Sequence, residues 1–316
     1  MRAFFLFKHK ILMSNYKNLK SEEKKIVEIL TVNSDIDKQP RIAIQGVPGA
    51  FHHIAARRFF NDKNLEIIPA DTFDELVIKA EDKLQTDLAL MAIENTIAGS
   101  ILNNYQLLNH SDLHIVGEVY LRIQQNLMVL PGVKIEDLTE VYSHPVAIVQ
   151  CQKFFKQYPH IKLIESEDTA LSAKRVKDGQ LKNTGAIASS LAAEMYELEM
   201  IGKSIETYKK NYTRFLVLGR SESPVNNEFN KVSLCFTLPH EVGSLHQVLS
   251  ALALCKTNLT KIQSAPLLDS EFEYLFFVDF LLDENKDFES IINVIKKHTL
   301  ELRILGTYNK GKKHEH

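Results

Sequence analysis

Cysteine is scarce in this sequence. There are three, Cys151, Cys235 and Cys255, an odd number with no CxxC spacing. That argues against a disulfide framework or a cysteine-based zinc site and fits a reducing compartment, so a cytoplasmic location is expected. Long apolar runs are missing too. No stretch of about 18 apolar residues occurs, which argues against a membrane-spanning helix. Charge of one sign is not in excess: 38 Lys+Arg stand against 40 Asp+Glu, a formal net charge of -2. With no long basic stripe, nucleic acid is not an expected partner. The segment MRAFFLFKHKILM is broken by Lys8, His9 and Lys10 and has no small-residue cleavage site, so it does not read as a signal peptide. Residues 1–40 are polar and lysine-rich and read as an extension, with a short helix in SEEKKIVEIL and Met13 as a possible start.

What is present is an ordinary globular composition, 45% apolar and 25% charged over 316 residues, enough for two domains. From Arg41 short apolar strands alternate with helical segments. RIAIQ, LEIIPA, DLALMAIE, EVYSHP, KLIESED, TGAIA and YTRFLVLGR read as strands. FHHIAARRFF, FDELVIKAEDKL, ILNNYQLL, VAIVQCQKFFKQY and TALSAKRVKDG read as helices. The alternation predicts an α/β domain with mainly parallel sheets over 41–220. SESPVNNEFN (221–230) has linker composition. Residues 231–308 then read βαββαβ, the ferredoxin-like plan, with 309–316 as a tail.

Three polar clusters fall where a strand passes into a helix: GVPGAFHH (46–53), ENTIAGS (94–100) and SHP (143–145). Strand ends in open α/β sheets are where ligands bind, and helix N-termini there attract anions. Each cluster alone also reads as an ordinary turn or N-cap. His52 and His53 lack partners at metal-ligand spacing, so no metal is expected.

The combination is more informative than its parts. IENTIAGSI (93–101), VYSHPVAIVQC (141–151), YTRFLVLG (212–219) and QGVPGAF (45–51) occur in the order of the matching blocks of prephenate dehydratases, and the chain resembles that family over about residues 41–308. The QGVPGAF form is also that of arogenate dehydratases. The departures are Thr96 for the usual Ser, Val146 for Gln after His-Pro, and His52 for Ser or Thr.

The resemblance implies a two-lobed catalytic domain like a type II periplasmic binding protein, with lobes at about 41–118 with 205–220 and at 119–204. It implies decarboxylating dehydration of prephenate to phenylpyruvate without a cofactor. Catalytic roles are implied for Thr213, as donor to the leaving hydroxyl, and for Glu94. Substrate contacts are implied for Asn95, Thr96, Ser100, Ser143, Gln150, Arg214 and Phe215, although Arg214 reads equally well as a brace for its strand. Residues 231–308 resemble an ACT regulatory domain, a homodimer- or homotetramer-forming sensor of L-phenylalanine. Gly243, Ser244, Leu245, Asn258, Leu259 and Thr260 match its ligand-binding blocks. The family's Glu-Ser-Arg-Pro is here Gln263-Ser264-Ala265-Pro266, so two charges are gone. Arogenate as substrate is the alternative within enzymes. A two-lobed amino-acid-binding protein without chemistry is the alternative outside them.

Overall fold

The structure is a computed structural model that describes residues 29, 39–61, 65–221, 229–267, 273–283 and 287–314. The expected extension and linker lie almost wholly outside these residues.

The first sheet is built around β1 (Arg41–Gln45) and β3 (Leu88–Asn95), which pair in parallel, with β2 (Glu66–Ala70) parallel on the outer side of β1. The first six residues of β3 are buried, as its continuous apolar reading requires of a central strand covered on both faces. Helices α1 (Phe51–Phe60), α2 (Phe73–Glu81) and α3 (Leu102–His110) supply that cover. The short β4 (Gly99–Ser100) folds back on β3. The return strand β11 (Tyr212–Gly219) inserts between β3 and β5 (His114–Arg122), antiparallel to both. The mainly parallel expectation is therefore corrected here: β11 comes back from the other lobe and must run against its neighbours.

The second lobe is a sheet in the order β10 (Glu199–Gly202), β6 (Asn126–Val129), β9 (Thr184–Ala188), β7 (Glu140–Ser143), β8 (Lys162–Glu165). Only the β9–β7–β8 part is parallel. Its helices are α4 (Pro145–Phe155), α5 (Thr169–Asp178) and α6 (Ser190–Met195), N-capped by the side chains of His144, Asp168 and Ser189. The chain crosses between lobes twice, and the crossings are tied together. Ile123 donates to the Asn211 carbonyl at 2.7 Å and Ile205 to the Gln125 carbonyl at 2.7 Å. The buried Glu206 carboxylate accepts from the Gln125 N–H at 2.9 Å and from Ser204 at 2.7 Å. Lobe two also touches the first glycine turn: Ser189 donates to the Gly49 carbonyl and Tyr196 to the Pro48 carbonyl, both at 2.6 Å. Gly49 has φ +96 and lies so close that a Cβ would stand 3.0 Å from Ala192 Cα, so only glycine fits without strain.

The C-terminal domain is a four-stranded antiparallel sheet, β13 (Asn258–Pro266), β14 (Tyr274–Leu281), β12 (Lys231–Thr237), β15 (Leu302–Tyr308), with α7 (Ser244–Leu254) and α8 (Phe288–Lys296). This is the ferredoxin-like order read from the sequence. The helices cover one face, where Leu234, Phe236, Val278 and Phe280 are buried. The other face packs on lobe one: Cys235, Ala265, Leu275, Phe277, Leu305 and Tyr308 share a core with Tyr105, Leu108, Leu113 and Ile115. A Cβ on Gly306 would meet the Ile115 carbonyl oxygen at 2.1 Å, so the two backbones approach as only glycine permits. The expected tail at 309–316 instead contributes β16 (Lys313–His314), parallel to β5 at the edge of the first sheet.

Candidate active site

Two adjacent strands place the central groups. β3 and β11 pair with Asn95 opposite Thr213 and Glu94 opposite Arg214. Successive side chains on a strand point to opposite faces, so these two pairs face different ways.

Asn95 and Thr213 face the junction of the lobes. The Asn95 carbonyl oxygen accepts from the backbone N–H of Ile97 and Ala98, each at 2.9 Å. Backbone N–H groups can only donate, so this contact fixes which end of the amide carries the hydrogens. Its Nδ2 then donates to Thr213 Oγ1 at 3.0 Å and to Asn211 Oδ1 at 2.8 Å. Asn211 in turn donates to Gln150 Oε1 at 2.9 Å. The chain Asn95–Asn211–Gln150 thus runs from lobe one through a crossing segment into α4 of lobe two. Because the Thr213 oxygen accepts from Asn95, its own proton is directed elsewhere. No acceptor for it occurs among the described residues.

Glu94 and Arg214 face the C-terminal domain. Arg214 is 3% exposed and donates to Glu118 at 2.7 Å, pairs with Asp279 at 2.5 Å and donates to the Tyr308 hydroxyl at 3.0 Å. Lys231 reaches the same Glu118 at 2.8 Å. Burial alone pulls the Arg214 pKa down, but Asp279 and the groups around it hold it well above the ordinary value. Burial likewise opposes the Asp279 charge, and Arg214 with Lys231 outweighs it, leaving that carboxyl below its usual pKa. Glu94 pairs with Lys261 of β13 at 2.5 Å and lies 3.6 Å from Arg214. Three cations, Arg214, Lys231 and Lys261, thus meet three anions, Glu94, Glu118 and Asp279. Removing one partner from such a buried set typically costs about 3–5 kcal/mol.

Of the residues expected in the site, Thr213, Asn95 and Gln150 come together. Others do not. Arg214 has each of its guanidinium nitrogens engaged by Glu118, Asp279 and Tyr308, away from the lobe junction, which corrects its assignment to a substrate carboxylate and leaves it as a brace. Glu94 is turned from Thr213 by strand alternation and cannot polarise that hydroxyl directly. Ser100, opposite Glu94, accepts from Lys261 at 2.6 Å. Thr96 uses its hydroxyl to clamp backbone, accepting from the Tyr212 N–H and donating to the Lys210 carbonyl. Ser143 is wholly buried and donates to the Ile187 carbonyl at 2.7 Å. Phe215 is 1% exposed in the lobe-one core, edge-on to His52. The α4 N-terminus offers less to an anion than expected, since its first residue is Pro145 and the Val146 N–H is taken by His144 Nδ1. A concavity of about 450 Å³ on lobe two, lined by residues such as Val133, Phe154, Tyr158 and Ile201, contains none of the expected site residues.

In the C-terminal domain Gly243 caps α7 at φ +89, with the Ser244 hydroxyl bonded to the Glu241 carbonyl. Leu245 and Leu259 pack on the helix-side core. Asn258 is exposed at the start of the edge strand, and Thr260 donates to the Asp279 carbonyl at 3.4 Å. No group of three or more His, Cys, Asp or Glu able to hold a metal occurs among the described residues.

Two α/β lobes joined by two crossing segments, with a hydroxyl and three amides at their junction, make up a two-lobed α/β domain. The prephenate dehydratase family model matches residues 42–223, and the chain belongs to that family, whose members are carbon–oxygen lyases. It is 36% identical over 292 residues to arogenate dehydratase/prephenate dehydratase 2, chloroplastic, of Arabidopsis thaliana, covering 88% of this chain and 75% of that one. Among solved structures it is similar to GqqA, described as a novel type of quorum quenching acylase, with TM-score 0.77, 28% identity and coverage of 85% of this chain and 98% of that one. The prephenate dehydratase of Arthrobacter aurescens in complex with L-Phe shares the fold, with TM-score 0.76, 22% identity and coverage of 85% and 90%.

Proposed function

We propose that the protein converts prephenate to phenylpyruvate, with Thr213 as the hydrogen-bond donor to the departing hydroxyl. The observation that carries this reading is the contact of Asn95 Nδ2 with Thr213 Oγ1, which fixes the oxygen and frees its proton for a ligand. In the reaction the ring carboxylate leaves as CO2 when its C–C bond breaks. That electron pair moves through the diene and expels the ring hydroxyl, which takes up a proton and departs as water. Aromaticity drives the step, so the protein supplies orientation and a donor. Threonine is too weak an acid to give up its proton outright, so Thr213 acts as a hydrogen-bond donor within a relay that ends on water. The Asn211–Gln150 link holds both lobes to that geometry. Strong contacts belong on the pyruvyl carboxylate, because the charge of the departing one vanishes in the transition state.

A reading with arogenate as substrate is favoured by the name of the Arabidopsis relative, which carries both activities. Purified protein given each substrate in parallel decides between them: phenylpyruvate forms from prephenate, phenylalanine from arogenate. Turnover of arogenate alone would replace the first reading, and turnover of neither would remove both. Feedback by L-phenylalanine through Gly243, Ser244, Leu245, Asn258, Leu259 and Thr260 is part of the same proposal, supported by the matched blocks and by the ligand of the Arthrobacter structure.

A further inference from the structure

β13 does not keep strict alternation. Its register against β14 shifts between Leu259 and Lys261, which pair with Phe280 and Asp279 respectively. Thr260 is therefore an extra residue, a bulge, and it turns the strand over. Leu259 packs on the helix-side core, whereas Lys261, two residues on, lies on the opposite face, beside Asp279 and toward lobe one. From there its ammonium reaches Glu94 Oε2 at 2.5 Å and Ser100 Oγ at 2.6 Å. Gln263 and Ala265 follow on the same face, and Ala265 is buried in the apolar contact with lobe one. The charges absent there leave Lys261 as the cation that β13 presents to the β3–β4 hairpin.

Glu94 and Ser100 are the facing ends of that hairpin. Between them runs the turn that Asn95 closes through Ile97 and Ala98, and Asn95 also holds Thr213. One ammonium thus grips both legs of the hairpin on the side of the C-terminal domain, while Asn95 acts on the side of the lobe junction. We propose that Lys261 is a positioning residue: it clamps Glu94 to Ser100 from the C-terminal domain and so fixes the direction in which Asn95 presents Thr213. The inference rests on the proposed role of Thr213. It gives Glu94 a part in turnover through geometry rather than through proton transfer.

The test uses the full chain. Lys261→Met should lower kcat about tenfold with KM within about twofold, and Lys261→Arg should recover most of the loss. Glu94→Gln should lower kcat similarly, and the double variant should be no worse than either single one, because both remove the same clamp. Hydrogen exchange at residues 94–100 should quicken in Lys261→Met, while the lobe-two sheet is unchanged. Wild-type kcat in Lys261→Met, or additive losses in the double variant, would overturn the proposal. Unchanged exchange at 94–100 would do so even if neither substrate turned over. Full activity in Thr213→Ala measured beside these would strike the role of Thr213 instead, and turnover of neither substrate would strike the proposed function, so the failures are told apart.

Discussion

At the scale of single residues, the position of one proton matters most. Thr213 is buried and accepts from Asn95, so its hydroxyl hydrogen is free to serve a ligand. Thr213→Ala should lower kcat at least about 10²-fold, the lower range for loss of a donor in the transition state. Thr213→Ser should retain much more, since it keeps the hydroxyl. Near-normal turnover in Thr213→Ala would take the residue out of the mechanism. The order of blocks in the sequence pointed to Thr213, Asn95 and Gln150, which meet in the fold. Asn211 went unread although it stands two places before Thr213. A lone Asn in a polar segment carries no periodic signal, and its value lies in the crossing strands that bring it between Asn95 and Gln150. Glu94 and Arg214 were legible as important but not as pointing away. Alternation dictates that neighbours on a strand face apart, yet which neighbour faces the lobe junction is decided by the antiparallel register of β11 on β3.

At the scale of elements, most helices and strands followed from period and caps, and the misses have physical reasons. β5, β6 and β10 were not anticipated: Gly117 and Glu118 interrupt the apolar run of HIVGEVYLR, and NLMV and EMIG are too short to show a period. The Thr260 bulge and the two-residue β16 depend on partners distant in sequence. α1 carries an unusual load, with His52 and His53 both buried. His52 Nε2 accepts from the Ala92 N–H at 3.3 Å and His53 Nδ1 from the Gly49 N–H at 3.2 Å, so each ring is held neutral and a proton on either acceptor would oppose a backbone N–H. Burial lowers His52 to about 3, and burial with the nearby Arg57 lowers His53 to about 4, from 6.5. Below pH 6.5 the unfolded chain takes up protons that the folded protein refuses, so stability falls as pH falls. The slope is about 1.4 kcal/mol per pH unit for each ring. Urea midpoints should therefore drop steadily from pH 6.5 to 4.5, and His52→Gln should flatten the trend. A midpoint constant across that range would contradict this account.

At the scale of the molecule, the C-terminal sheet has two different neighbours to find. Its helix-free face is already covered by lobe one, with the Arg214–Glu118–Asp279 ion cluster at the margin of the apolar contact. Its edge is not. Among the described residues β13 pairs with β14 on one side and with no strand on the other. An open edge invites pairing with a second chain. Two copies joined edge to edge about a twofold axis form a closed dimer. In that arrangement Asn258, Leu259 and Thr260 would stand beside the partner's strand, which would put the segment matched to phenylalanine binding at the interface. The expected state is a homodimer or a pair of dimers, read by light scattering at micromolar concentration, and a monomer there would contradict it. Phenylalanine should inhibit turnover and tighten the assembly together, since a ligand bound across two chains stabilises the joined form by mass action. Asn258→Ala should raise the phenylalanine concentration for half-inhibition about tenfold, the size of roughly 1.4 kcal/mol lost from binding. No inhibition and no calorimetric binding at millimolar phenylalanine would leave the domain as an assembly module alone, tied to β3 through Lys261 and to β11 through Asp279 and Tyr308.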